Sequence, residues 1–105
     1  MAFGTLQKRE VITSSDNLEP YGVAIIDITD VSSDITATLQ DGSSDVPGVF
    51  KLVVLKTGDS VPSINVDVSY NGSETLSMVA SGTVNASYAL FLWDGSDWQL
   101  ISSGT

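Results

Sequence analysis

The sequence predicts an all-β fold, a small antiparallel β-sandwich or barrel preceded by an extended N-terminal arm. Three observations predict it. Short runs rich in β-branched and aromatic residues recur along the chain. Clusters of Gly, Asp, Asn and Ser separate them at roughly eight- to twelve-residue intervals, the spacing of sandwiches and barrels. No stretch carries apolar residues at the helical period, and no heptad or longer repeat is present.

Residues 1–20, MAFGTLQKREVITSSDNLEP, hold isolated apolar residues that fit no core pattern, so they read as an arm ahead of a domain at 21–105. An arm with little of its own to bury is expected to lie along a neighbouring chain through Phe3, Leu6, Lys8, Arg9 and Val11. YGVAIIDIT (21–29) is the first strong run, and ITATLQ (35–40) alternates cleanly, with Ile35, Ala37 and Leu39 on one face. DGSSDVPG (41–48) is a loop and VFKLVVLK (49–56) a strand. SINVDVSY (63–70), TLSMVAS (75–81), ASYALFLW (86–93) and WQLISS (98–103) complete seven runs.

Register follows from which residues must share a face. A two-residue turn at Asn71-Gly72 would set Val68 against Thr75. One more residue pairs Val68 with Leu76 and Val66 with Met78, so a three-residue loop, 71–73, or a bulge beside the turn is expected. The last hairpin pairs Trp93 with Trp98, Phe91 with Leu100 and Ala89 with Ser102, across a four-residue loop or a Gly95-Ser96 turn. Its other face carries Leu92, Leu90 and Tyr88 against Gln99, Ile101 and Ser103. A half-solvated sheet is not apolar on both sides. One face fills the core and the other needs a cover, which makes Leu90, Leu92, Trp93, Trp98 and Ile101 interface candidates. The Trp93/Trp98 pair is expected to hold the hairpin closed and pack it into the domain or an interface.

Composition narrows the function. The 105 residues make one domain with one modest core. Cysteine and histidine are absent, which removes disulfides, thiolate metal sites and the usual general base. Thirteen acidic residues against four basic ones give a net charge of −9, which disfavours nucleic acid and anionic membranes as partners. The N-terminus reads as neither a signal peptide nor a membrane span.

Each candidate for chemistry has a plainer reading beside it. Gly58-Asp59-Ser60 is similar to the nucleophile segment of one lipase family, but a serine needs a base, and a turn explains the residues. Asp94 and Asp97 are the best of several short-spaced acidic pairs for calcium, yet Asp also favours turns. Asp27, Asp67 and Glu74 are the carboxylates a glycosidase would use, in a fold without an obvious cleft. The tryptophans could stack on sugars, but they share an apolar stripe with Phe91 and Leu100 that reads as core or interface. No cofactor is expected, and the protein does not read as an enzyme.

The closing ALFLWDGSDWQLISSG resembles endings of small tailed-bacteriophage virion proteins, in which two strands flank an Asp-Gly turn in a W-D-G-x-x-W-like pattern. Capsid decoration (cement) proteins and the β-domains of fibres are such proteins. The resemblance covers about fifteen residues and is an analogy of pattern. It implies a structural protein on the outer capsid surface of the virion, made in the host cytoplasm. Its partners would be the major capsid protein and itself, as a homotrimer. A ligand- or carbohydrate-binding module, such as a head- or tail-fibre domain, is the other reading.

Overall fold

The computed structural model describes residues 9–105, and within them the chain is all-β. Ten strands form two five-stranded sheets packed face to face. Sheet A has the order β1 (Arg9–Ile12), β3 (Gly22–Asp27), β5 (Phe50–Lys56), β9 (Tyr88–Trp93), β10 (Trp98–Gly104). Sheet B has the order β2 (Asp16–Leu18), β4 (Ile35–Leu39), β6 (Val66–Tyr70), β7 (Glu74–Ala80), β8 (Thr83–Val84).

The expectation of an antiparallel sandwich holds for the sandwich and is corrected for the strand directions. The first six strands alternate between the sheets. Each strand therefore meets its predecessor in the same sheet running the same way, and β1–β3, β3–β5, β2–β4 and β4–β6 are parallel. A parallel pair needs a long crossover. Here a strand of the opposite sheet supplies it. From β6 onward the chain folds as hairpins, and β6–β7, β7–β8, β5–β9 and β9–β10 are antiparallel.

A second correction concerns the arm. Residues 9–18, expected within it, contribute two edge strands. Ile12 and Leu18, the isolated apolar residues of this stretch, are its buried ones. Strands of four and three residues are too short to show an alternation. Phe3, Leu6 and Lys8 lie outside the described residues.

The core sits between the sheets. Ala24, Ile26, Val53, Ala89 and Phe91 of sheet A, all fully enclosed, face Ala37, Val66, Val68 and Met78 of sheet B. The β6–β7 hairpin has the three-residue loop 71–73, with Tyr70 opposite Glu74 and Val68 opposite Leu76. Asn71 and Gly72 both take positive φ, the conformation Asn and Gly tolerate best. Val66 pairs with Val79 rather than Met78, because a bulge lets both Met78 and Val79 turn inward.

Candidate functional site

The tryptophan pair of the closing hairpin lies in the core rather than on a working surface. Trp93 pairs with Trp98 across the loop 94–97, and Phe91 with Leu100. Both indoles are buried, with ring centroids 5.3 Å apart, and Phe91 meets Trp98 edge-on at 6.4 Å. Trp93 Nε1 donates to the Ser43 carbonyl at 2.9 Å and Trp98 Nε1 to the Gln40 carbonyl at 2.8 Å. The 40–43 segment thus roofs the pair. Gly42 lies so close that an added Cβ would stand 2.9 Å from Trp93 Cδ1. The Asn71 side chain completes the enclosure. Its Oδ1 accepts from the Trp98 N–H at 2.7 Å, and its Nδ2 donates to the Trp98 carbonyl at 2.9 Å, so a sheet B turn is tied to the edge of sheet A. Trp93 and Trp98, expected among the interface residues, are enclosed by their own domain.

Asp94 serves the hairpin turn. Its Oδ1 accepts from the Ser96 and Asp97 N–H groups, each at 2.8 Å, and its Oδ2 from Gln99 Nε2 at 2.9 Å. The Asp97 and Ser96 N–H bonds, then that from Gln99, hold its carboxyl below its ordinary value. Among the described residues no group of three or more His, Cys, Asp or Glu side chains could hold a metal ion.

The hairpin register breaks after Leu100. Ile101 is an unpaired bulge residue, 53% exposed, and Ser102 and Ser103 pair with Leu90 and Ala89. The expected pairing of Ala89 with Ser102 is therefore off by one.

Sheet A's apolar residues continue on its outer side. Ladder pairing aligns Val11, Ile25, Val54 and Tyr88 across four adjacent strands. A second row holds Arg9, Val23, Leu52 and Leu90, and a third holds Phe50 and Leu92. None of these side chains is buried; Val11 is 50% and Phe50 53% exposed. The structure thus places Arg9, Val11, Leu90 and Leu92 of the expected interface residues together on one face. Val23, Ile25, Phe50, Leu52 and Val54 join them without having been singled out. The signal that finds them is the unbroken apolar character of GVAIID and YALFLW, since a strand with one wet face alternates.

Two inward positions of sheet A hold charges, Lys51 and Glu10. Lys51 is fully buried beside Phe91, and its ammonium donates to Glu10 Oε2 and, at 2.8 Å, to the Tyr21 carbonyl. Glu10 Oε2 also accepts from the Glu19 N–H at 3.0 Å. This cluster clamps β1 and the 19–21 segment onto β5. Its spacing in the chain, 10 to 51, left no local trace.

The other carboxylates named for chemistry are dispersed. Asp27 and Asp67 face outward on opposite sheets, and Glu74 begins β7. Asp27 Oδ1 accepts from Thr29 Oγ1 at 2.6 Å, and this bond, followed by that from the Thr29 N–H, lowers its pKa. Comparison with known proteins gives no match: no protein family, no curated protein and no solved structure matches this chain.

Proposed function

We propose that the protein is a non-catalytic structural component of a tailed-phage virion, a decoration protein that binds the major capsid shell and stabilises it. The apolar outer face of sheet A supports the assembly part of the reading. An exposed apolar face of this kind marks an interaction site. The likeness of the closing hairpin to virion proteins directs the reading to a capsid. On a shell, many simultaneous contacts multiply a modest affinity at each.

The carbohydrate-binding reading relied on an exposed tryptophan platform, and both indoles lie in the core with their N–H groups satisfied. Catalysis finds no support either, since Ser60 has no histidine to activate it and Asp27, Asp67 and Glu74 do not converge.

The test is a peptide inventory of purified virus particles from the source of the sequence, with copy number. The expected result is a chain present in many copies per particle, whose removal lowers the temperature at which the shell opens. Particles that lack the chain would overturn the proposal.

A further inference from the structure

We infer that the outer face of sheet A is the contact between copies of this chain, sheet A of one copy meeting sheet A of the next. The inference rests on the assembly reading above and names the partner of its apolar face.

Extent is the first argument. Four strands at about 4.8 Å and six residues at about 3.3 Å give an apolar footprint of roughly 380 Å². That lies within the range of the largest apolar patches of typical monomers, about 300–600 Å². It supplies just under half of the roughly 800 Å² per partner in a standard interface, before side-chain relief and the polar rim of β10 are counted.

Charge is the second argument, and it selects the partner. Copies of a chain at −9 repel wherever carboxylate meets carboxylate. Of its thirteen acids only Asp27 occupies an outward strand position on sheet A, and Lys56 lies beside it at 3.8 Å. The other twelve hold no outward position on these strands, although Asp94 borders the face at Gln99, so two copies can meet here with few carboxylates opposed. The described cations are Arg9, Lys51 and Lys56. Lys51 is buried, and both of the others point outward on sheet A. The face therefore carries a formal +1, two cations against Asp27, on an otherwise acidic body. Face-to-face contact opposes only these small charges and keeps the acidic remainders of the two copies apart, and the apolar rows supply the attraction. Self-contact of one patch also closes by symmetry, leaving no open chain of copies.

Light scattering on the full chain, over a wide range of concentration, tests the inference. The wild type is expected to be an oligomer. Leu90→Asp and Phe50→Asp should each give a monomer with native circular dichroism, while Thr38→Asp and Ser69→Asp on sheet B should leave the mass unchanged. Wild-type monomers at every concentration, or an oligomer that survives both sheet A variants, would overturn it. If the Asp variants fail to fold, cross-linking decides. Because the chain has no cysteine, Leu52→Cys, Val54→Cys and Leu90→Cys can be oxidised singly. A disulfide-linked pair from at least one of them, and none from Thr36→Cys, is expected; no linked pair from any sheet A position overturns the inference. Failure here is distinct from failure of the virion reading. Particles can contain a chain that is monomeric in solution, and an oligomer joined through sheet A can be absent from particles.

Discussion

Thr36, Thr38, Asp67 and Ser69 face outward on neighbouring strands of sheet B, whereas Ile25, Val54, Leu52 and Leu90 hold the corresponding places on sheet A. The two sheets share one core, so the core does not account for the difference. Sheet B is dressed for water: ITATL alternates, and Asp67 pairs with Ser77 and Ser69 with Thr75 across to β7. Sheet A is apolar on both sides, the composition of a sheet covered twice. Fully burying one Leu or Val contributes about 1.5–3 kcal/mol, so covering the outer rows of sheet A would add a stabilisation that the isolated domain lacks.

The largest expected effect removes the clamp at the edge of sheet A. Glu10→Ala removes the carboxylate partner of the buried Lys51 ammonium, which keeps the Tyr21 carbonyl, and breaking one side of a buried pair costs about 3–5 kcal/mol. Denaturant unfolding should show that loss, and Lys51→Met on the Glu10→Ala background should recover most of it. Without recovery, β1 is held by something other than this pair. Trp98→Ala is of similar size, about 3–5 kcal/mol. It empties the space beside Phe91 and Trp93 and leaves the Gln40 carbonyl without its donor. Wild-type stability in this variant would mean that the closing hairpin adds nothing to the core.

An exchange of faces tests the comparison directly. Leu52→Thr with Leu90→Thr gives sheet A the surface of sheet B. The stability of the isolated fold should change by about 1 kcal/mol or less, as for partly exposed sites away from buried networks, while association weakens. Thr36→Val with Thr38→Val does the reverse and should produce aggregation through sheet B. If both exchanges leave association and solubility unaltered, the contrast between the faces has no consequence.

Much of this contrast was legible before any coordinates. ITATLQ and SINVDVSY alternate, whereas YGVAIIDIT and ASYALFLW run on unbroken, and the chain thereby already sorts its strands into a half-wet sheet and one that is apolar on both sides. The loop 71–73 and the Trp93–Trp98 pairing were legible because a one-residue slip would have turned Val68 or Phe91 out of the core. The parallel order was not, because periodicity records where a strand faces and not which sheet the next one enters. Nor was the inward Lys51, whose partners at 10 and 21 are brought to it only by the parallel ladder. The bulge at Ile101 escaped for a related reason: Ser102 and Ser103 fit either face.

The smallest expected effect, from acid, separates the hairpin turn from the faces it joins. Asp94 is held below its ordinary value of 3.8 by the N–H groups of Asp97 and Ser96. A lowered folded value means that the contribution of its charge is fully present above 3.8 and is lost as pH falls below it. Asp94→Asn keeps an oxygen acceptor for the same N–H groups but carries no charge. Its stability should therefore fall less steeply than that of the wild type through this range. Association responds in a separate window. As pH falls from neutrality toward the isoelectric point near 4.1, the acid excess that makes copies repel is neutralised, while the apolar rows of sheet A are unchanged. Light scattering should therefore rise over this range, where the contribution of Asp94 to stability is still present, and the loss of stability should follow only below 3.8. Association that falls between neutrality and pH 4.1 would instead mean that opposite charges join the copies, and would remove the outer face of sheet A from the assembly.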